Sequence, residues 1–427
     1  MSFRVWCQHA WLGGPSSTDG VLLEIDNGRF SRVETGFVSP PPGVPALPGL
    51  TMPGFVNPHH KVLERAAQGQ PEHIIAAAIA GLQNGITPED LAELATAVYA
   101  ELSLAGITTV GEVVTLHRER DGAPFANPNI VADALVHAAK TAGVRLAIID
   151  VCVLNGPIRN RHQSVHEWMQ RVDPWTERLG RSDTVRMIGG LADQTGLGTR
   201  GLADVALWSG QCGLPVHALV DGHPVDGLSA IEGLSRASVT TNRGGFAAIG
   251  TSNVTADELA LIGQQRGSVI AVSRSQMDAF PVGAFRMAGG RVALAQSSSI
   301  PVDSFGALRT LEGVVGNDTR NARLGASELM RTITADAAIT LGWRNSGLIA
   351  SGQLADLVTV STTRIGRGPE EDVLERVLRH ARSADITHVA VGGQLLVNNG
   401  QHRLGDIAAR IRSATERVER FTTGVFR

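Results

Sequence analysis

The segment from Asn57 to Lys61 (NPHHK) ends an apolar run and contains the residues of the chain best suited to chemistry. Imidazoles at the end of a buried strand can hold a divalent metal ion or transfer protons. Lys61 lies two positions after His59, where a second histidine would complete a His-x-His pair of metal ligands. A protonated ammonium has no lone pair, so Lys61 is not a metal ligand at neutral pH. The segment therefore resembles a metal site that lacks one ligand.

Lys61 and Lys140 are the only lysines of the chain. An ammonium near a metal position supplies a positive charge there, and we expect a carboxylate to hold it, from Asp221, Glu64 or Asp303. Two interpretations are open. The pair is structural, and then says little about stability because burying charges is costly. Alternatively, a desolvated lysine with a lowered pKa acts as a general base or binds an anionic substrate.

Apolar, β-branched segments alternate with amphipathic helical patterns, which is typical of an α/β protein with a (β/α)8 TIM-like barrel. The predicted strands are 51–58, 106–114, 144–153, 184–191, 214–220, 246–251, 268–273 and 291–297. Strand-like segments at both chain ends predict a small β-sandwich domain from residues 1–50 and 350–427, beside a barrel of residues 51–349. Chemistry in such barrels lies at the C-terminal ends of the strands.

Composition excludes several classes of function. The net charge is −3 and no basic cluster is present, so we expect no nucleic acid and no membrane as partner. The three cysteines lie far apart, which fits a reducing cytoplasm and excludes a cysteine-built zinc site. We expect a cytoplasmic protein without signal peptide or membrane span. Low lysine with abundant arginine and alanine indicates a GC-rich bacterial gene.

Several motifs make the chain similar to the amidohydrolase superfamily, and more closely to formimidoylglutamate deiminase and related aminohydrolases. They are spread over nearly the whole chain: MPGFVNPHHKVLERAAQG from Met52, GEVVTLHRERDGAPFAN from Gly111, PVHALVDG from Pro215, AGGR from Ala288, DSFGALRTLE from Asp303 and GQLADLV from Gly352. The resemblance implies hydrolytic deamination at one metal ion, which lowers the pKa of its bound water to about 7. It also implies a homodimer and a small, polar, nitrogen-containing substrate that bears a carboxylate.

The resemblance also assigns metal-ligand positions, and most of them hold other residue types here. The family uses two histidines after strand 1, one from strand 5, an aspartate after strand 8, and a glutamate as proton shuttle. His59 matches the first histidine, whereas Lys61, Leu219, Ser298 and Gly222 occupy the other four positions. One histidine with serine hydroxyls cannot hold zinc tightly. We therefore expect that the metal site is lost, with no metal ligand and no cofactor.

Other polar residues are candidates for the barrel mouth. Alternation along a strand predicts that one of His59 and His60 points into the barrel, His59 by the ligand's direction, and the other away. By resemblance, His117 lies in a segment that helps to bind substrate. Arg161 and His162 resemble the region of the family that binds the substrate carboxylate. An arginine there can bind a carboxylate through two parallel hydrogen bonds. The predicted catalytic residues are Lys61, His59 and Asp221, and the predicted substrate-binding residues are His60, Glu64, His117, Arg161, His162, His217, Ser298 and Asp303.

Each candidate also has a structural interpretation, because core histidines, exposed arginines and serines that end a strand are common. Three hypotheses follow for the whole chain. The first is a metal-independent acid–base enzyme, either a lyase, a cyclase or a C–N bond hydrolase. The second is a non-catalytic protein that binds a small molecule or a partner. The third is a conventional metal-dependent hydrolase similar to formimidoylglutamate deiminase, with ligands such as His59, His60 and Asp303.

Overall fold

Eight parallel strands form the barrel of the computed structural model, which describes residues 2–179, 182–191, 196–221, 227–272, 281–317, 324–365 and 372–421. Each strand pairs with the next one along the chain. This order confirms the predicted (β/α)8 barrel. The strands are β5 Phe55–His60, β6 Ile107–Val114, β7 Arg145–Cys152, β8 Val185–Leu191, β9 Val216–Leu219, β10 Phe246–Ile249, β11 Ser268–Ala271 and β12 Arg291–Leu294.

Helices connect these strands and cover the outside of the barrel. Within the described ranges, none of the helices combines the length and the apolar character needed to cross a bilayer. The helices are α1 Glu72–Gly85, α2 Pro88–Leu104, α3 Ile130–Ala142, α4 Val165–Leu179, α5 Gly198–Cys212, α6 Ala230–Arg236, α7 Ala256–Gln264, α8 Val282–Met287, α9 Ser304–Asn317, α10 Ala326–Thr332, α11 Ala335–Thr340, α12 Val373–His380 and α13 Ile407–Glu419, with short 3₁₀ helices at Val62–Ala67 and Ser383–Asp385.

A second sheet is built from both ends of the chain, as predicted. Its order is β16-β15-β14-β13-β4-β1-β2-β3, so the C-terminal strand β13 pairs with the N-terminal strand β4. The exact domain boundaries stay a prediction. The strands are β1 Ser2–Ala10, β2 Thr18–Asp26, β3 Arg29–Glu34, β4 Ala46–Pro53, β13 Leu357–Val360, β14 Ile386–Val391, β15 Gln394–Asn398 and β16 Gln401–His402.

The predicted first barrel strand, 51–58, is in fact divided between the two sheets. Strand β4 ends at Pro53 in the small sheet, and β5 begins at Phe55 in the barrel. Gly54 lies between them, where an added Cβ would be 2.2 Å from Thr108 Oγ1. The backbone N–H of Gly54 donates to the Asp356 carbonyl, which fixes the crossing between sheets. Apolar periodicity does not show this division, because both strands are buried.

The barrel is closed by side chains where its first and last strands meet. Strand β5 has no backbone ladder to β12 in the described chain. Instead, Asn57 Nδ2 donates to the Gln296 carbonyl at 2.8 Å, and the Gln296 N–H donates to Asn57 Oδ1 at 3.1 Å. The carboxamide of Asn57 thus replaces a peptide group of a neighbouring strand. Both hydrogen bonds are buried, so this closure depends on one side chain.

We predict that Asn57→Ala lowers the free energy of unfolding by about 2–4 kcal/mol, because two buried backbone groups of Gln296 lose their partners. Chemical denaturation followed by circular dichroism measures the change. The control is Asn84→Ala, at an exposed helix position, which should shift the free energy by less than about 0.5 kcal/mol. Equal effects of the two substitutions would contradict the role of Asn57.

Candidate active site

The two histidines at the end of β5 point to opposite sides of the barrel wall. His59 lies near Lys61 and His217, and its Nδ1 is buried without a hydrogen-bond partner. Burial lowers the pKa of His59 well below its ordinary value, and the neighbouring Lys61 lowers it further. The imidazole is therefore neutral at pH 7 and offers a lone pair. His60 instead packs beside Tyr99 of helix α2, as strand alternation predicts.

His60 is held in a buried chain of hydrogen bonds. Its Nδ1 lies 2.6 Å from Glu112 Oε2, and its Nε2 lies 2.6 Å from Ser298 Oγ. The second oxygen of Glu112 accepts the backbone N–H of Val62 at 2.6 Å. Burial alone lowers the pKa of His60, but attraction to Glu112 and the hydrogen bond with it raise the pKa above its ordinary value of 6.5. This arrangement joins strands β5 and β6 to the segment after β12.

Two of the three expected partners of Lys61, Glu64 and Asp303, are engaged elsewhere, which corrects the sequence-based expectation for them. Glu64 accepts a hydrogen bond from Ser297 Oγ. Asp303 lies 3.6 Å from Arg309 and accepts from Ser383 Oγ at 3.5 Å. In the described chain, Lys61 forms no ion pair and its side chain is exposed. Lys61 is therefore not part of a buried ion pair with any of the described residues.

His217 lies on β9, the fifth strand of the barrel, and Asp221 follows shortly after the end of that strand. The Asp221 carboxylate lies against Gly250, where an added Cβ would be 2.6 Å from Asp221 Cγ and where φ is +76°. Only glycine accommodates this close approach at a positive φ. His217 Nε2 lies 2.8 Å from the Thr340 carbonyl. Its Nδ1 has no partner, and burial lowers the pKa of His217 to about 4.

A separate buried cluster contains His117 and His162, whose rings lie 4.5 Å apart. His117 Nε2 is 3.1 Å from the Val151 carbonyl, and Arg171 Nε donates to His162 Nε2 at 3.3 Å. Burial, followed by the charge of Arg171, lowers the pKa of His117 well below its ordinary value and that of His162 to about 4. Arg171 also donates to Asp150 Oδ2 at 3.0 Å. Both imidazoles lie beside the ion pair of Arg171 and Asp150, and their predicted role in substrate binding stays a prediction.

Arg161 is exposed, and its carbonyl accepts a hydrogen bond from Arg118 Nε at 2.8 Å.

The predicted site residues fall into separate groups. His59, Lys61 and His217 lie on one side of strand 1, and His60 and Ser298 lie on the other. His117, Arg161 and His162 form a third group beyond strand 3, and Asp303 lies at the start of helix α9. Gly222, the predicted glutamate position, lies outside the described residues.

The described residues do not complete a metal site. Among them, no group of three or more His, Cys, Asp or Glu side chains could hold a metal ion. His59 and His217 each offer one open ring nitrogen, whereas both nitrogens of His60 are occupied. Zinc hydrolases use at least three protein ligands. Segments 192–195, 222–226 and 273–280 each follow a barrel strand closely in the sequence and are not described. Within the described residues, these two nitrogens are a partial donor set.

Comparison with known proteins assigns the family. Residues 50–396 match the amidohydrolase family. The chain belongs to this family. It is 24% identical to formimidoylglutamate deiminase of Pseudomonas aeruginosa, over 92% of both chains. It is 25% identical to a 5-methylthioadenosine/S-adenosylhomocysteine deaminase of Haloquadratum walsbyi, over 87% of this chain and 84% of the relative.

Similarity to solved structures extends over the whole amidohydrolase fold. An adenosine deaminase of Xanthomonas campestris, crystallised with bound zinc, superposes with a TM-score of 0.82 at 19% identity and covers 99% of this chain and 98% of its own. The expectation of a metal-independent enzyme was therefore wrong. The relatives are named deaminases, and this structural neighbour holds zinc, so the comparisons favour a conventional hydrolase of the family.

Sequence reasoning missed Glu112, although it lies in one of the family-like motifs. Its signal is a single carboxylate inside the apolar run of β6, Ile107–Val114. A buried carboxylate requires a partner that carries hydrogen-bond donors. The nearest candidate in an adjacent strand is His60, which pairs with Glu112 in the β5–β6 register. Placing Glu112 required the register, which the sequence does not supply.

We predict that Glu112→Gln destabilises the protein by about 3 kcal/mol at pH 5.5 and by less at pH 8.5. The pKa of His60 is raised in the folded state, so the stabilisation from its protonated form is complete below about pH 6.5 and is lost as the pH rises through the raised value. Urea unfolding at both pH values measures the difference.

The control is Asp19→Asn at the exposed pair of His9 and Asp19, where the atoms are also 2.6 Å apart. Solvent screens that pair, so its loss should cost little at either pH. A Glu112→Gln effect that is independent of pH would show that the charge on His60 does not contribute.

Proposed function

We propose that this protein is a hydrolase that cleaves a C–N bond of a small polar molecule and releases ammonia. The relatives that cover most of the chain are deaminases by name, and the amidohydrolase profile covers residues 50–396. The observation that carries the proposal is His59, which lies at the C-terminal end of the first barrel strand with an unpartnered buried nitrogen. That end of the barrel is where such folds place their chemistry.

The environment of His59 suits a group that accepts either a metal ion or a proton. Its lowered pKa keeps the ring neutral at pH 7, so the lone pair is not lost to protonation. Burial is the largest cause of the lowered pKa of His59, and the next largest causes are the neighbouring Lys61 and His217. His217 is also neutral and is oriented by the carbonyl of Thr340. Neutral imidazoles are donors of the type that zinc hydrolases use, and these two are part of the three protein ligands that such a site requires.

Formimidoyl-L-glutamate and 5-methylthioadenosine, the substrates named for the relatives, are the first compounds to test. We predict ammonia release from one of them by protein saturated with zinc, measured with a coupled glutamate dehydrogenase assay. His59→Ala should lower kcat by at least about 100-fold, because the open nitrogen at the barrel mouth is lost. Metal content of the same samples, by inductively coupled plasma mass spectrometry, should fall in parallel.

The matched control is His137→Ala, at an exposed position of helix α3, which should retain both activity and metal. Loss of activity in both variants would point to a general fold defect. Full activity of the His59→Ala protein would remove His59 from the site. Wild-type protein that binds no zinc and releases no ammonia from either compound would contradict the proposed function.

A further inference from the structure

A cavity of about 330 Å³ lies on the outer side of strand β6, between that strand and helices α1, α2 and α3. Neither His59 nor His217 lines it, so it is distinct from the site proposed above, although Lys61, which neighbours His59, lies at its edge. Glu112 and Val114 of β6 belong to its wall, and Val114 packs in the core between the barrel and the helices. The volume is at the lower end of the range of small-molecule sites.

Most of the cavity wall is apolar. Eleven of its sixteen lining residues are aliphatic, among them Ile79, Leu91, Leu116 and Leu135. These four come from helices α1, α2 and α3 and from the segment after β6, so the cavity is enclosed by several elements rather than by one groove. An apolar wall of this kind stabilises a ligand that buries an aliphatic group against it.

The polar groups of the wall are unequally engaged. Both oxygens of Glu112 are occupied by His60 and Val62, and Gln83 Nε2 donates to Thr115 Oγ1 at 3.1 Å. Two groups remain available in the described chain. Lys61 forms no ion pair, and Asn160 Oδ1 is buried without a donor while the residue is only 8% exposed. An unsatisfied buried carbonyl oxygen is costly and requires an N–H or O–H partner.

We propose that this cavity binds a small amphipathic carboxylate that has an N–H group beside an aliphatic body, as in an N-acylated aliphatic amino acid. The ligand carboxylate pairs with the Lys61 ammonium at the exposed edge. The ligand N–H donates to Asn160 Oδ1, and the aliphatic body packs against Leu116 and Leu135. The two polar contacts use groups, Lys61 and Asn160 Oδ1, that the rest of the described structure leaves without a partner. The site goes beyond the hydrolytic function proposed above and does not depend on it.

Isothermal titration of the full-length protein with N-acetyl-L-leucine tests the proposal. We expect saturable binding of one molecule per chain, and binding of N-acetyl-L-leucinamide, which lacks the carboxylate, that is at least about tenfold weaker. Lys61→Met should weaken binding of the acid at least about tenfold and leave the amide unchanged. Asn160→Leu should weaken both ligands.

The matched control is Lys140→Met, which removes the only other lysine, at an exposed position of helix α3. It should not change binding of either ligand. Ile79→Trp, on the surface helix α1, fills the cavity and should abolish binding while the circular dichroism spectrum stays that of the wild type. Absence of saturable binding, equal affinity for acid and amide, or equal effects of the two lysine substitutions would overturn the proposal. Because binding is measured without turnover, a failed hydrolysis assay does not affect this outcome.

Discussion

Closure of the barrel by the carboxamide of Asn57 is the constraint on which the other features of the site depend. Strands β5 and β12 meet without a backbone ladder in the described chain, so two hydrogen bonds from one side chain to Gln296 hold β5 at this seam, while the ladder with β6 sets its register. A shift of one residue would exchange the two faces of the strand. The inward direction of His59 and the outward direction of His60 therefore both follow from the register that the ladder with β6 sets and that Asn57 holds at the seam.

Strand β5 consequently serves two purposes with adjacent residues. His60, turned outward, is locked between Glu112 and Ser298 and extends the closure begun by Asn57. His59, turned inward, has no partner for its buried nitrogen. A protein interior rarely leaves such an atom unpaired unless a ligand, an ion or water uses it. The two adjacent imidazoles thus differ in that one is fully hydrogen-bonded and the other has an open nitrogen.

The fold was predictable from sequence because eight buried strands alternating with helices have few alternative arrangements. The site was less so. Alternation predicted the opposite directions of His59 and His60, but the pairing of His60 with Glu112 depends on a register that shifts between Asn57 and His60. The division of one apolar run at Gly54 and the engagement of Glu64 by Ser297 likewise depend on contacts distant in sequence. Long-range pairing is the information that local pattern lacks.

Lys61 replaces an expected ligand and carries a positive charge, and in the sequence both properties argue against a metal. The structure weakens the electrostatic part of that argument, since the side chain is exposed and water screens its charge. Lys61 lowers the pKa of His59, which keeps that imidazole neutral, the form in which a histidine can bind a metal. What Lys61 removes is one ligand, and its exposed ammonium is left available at the edge of the cavity beside β6.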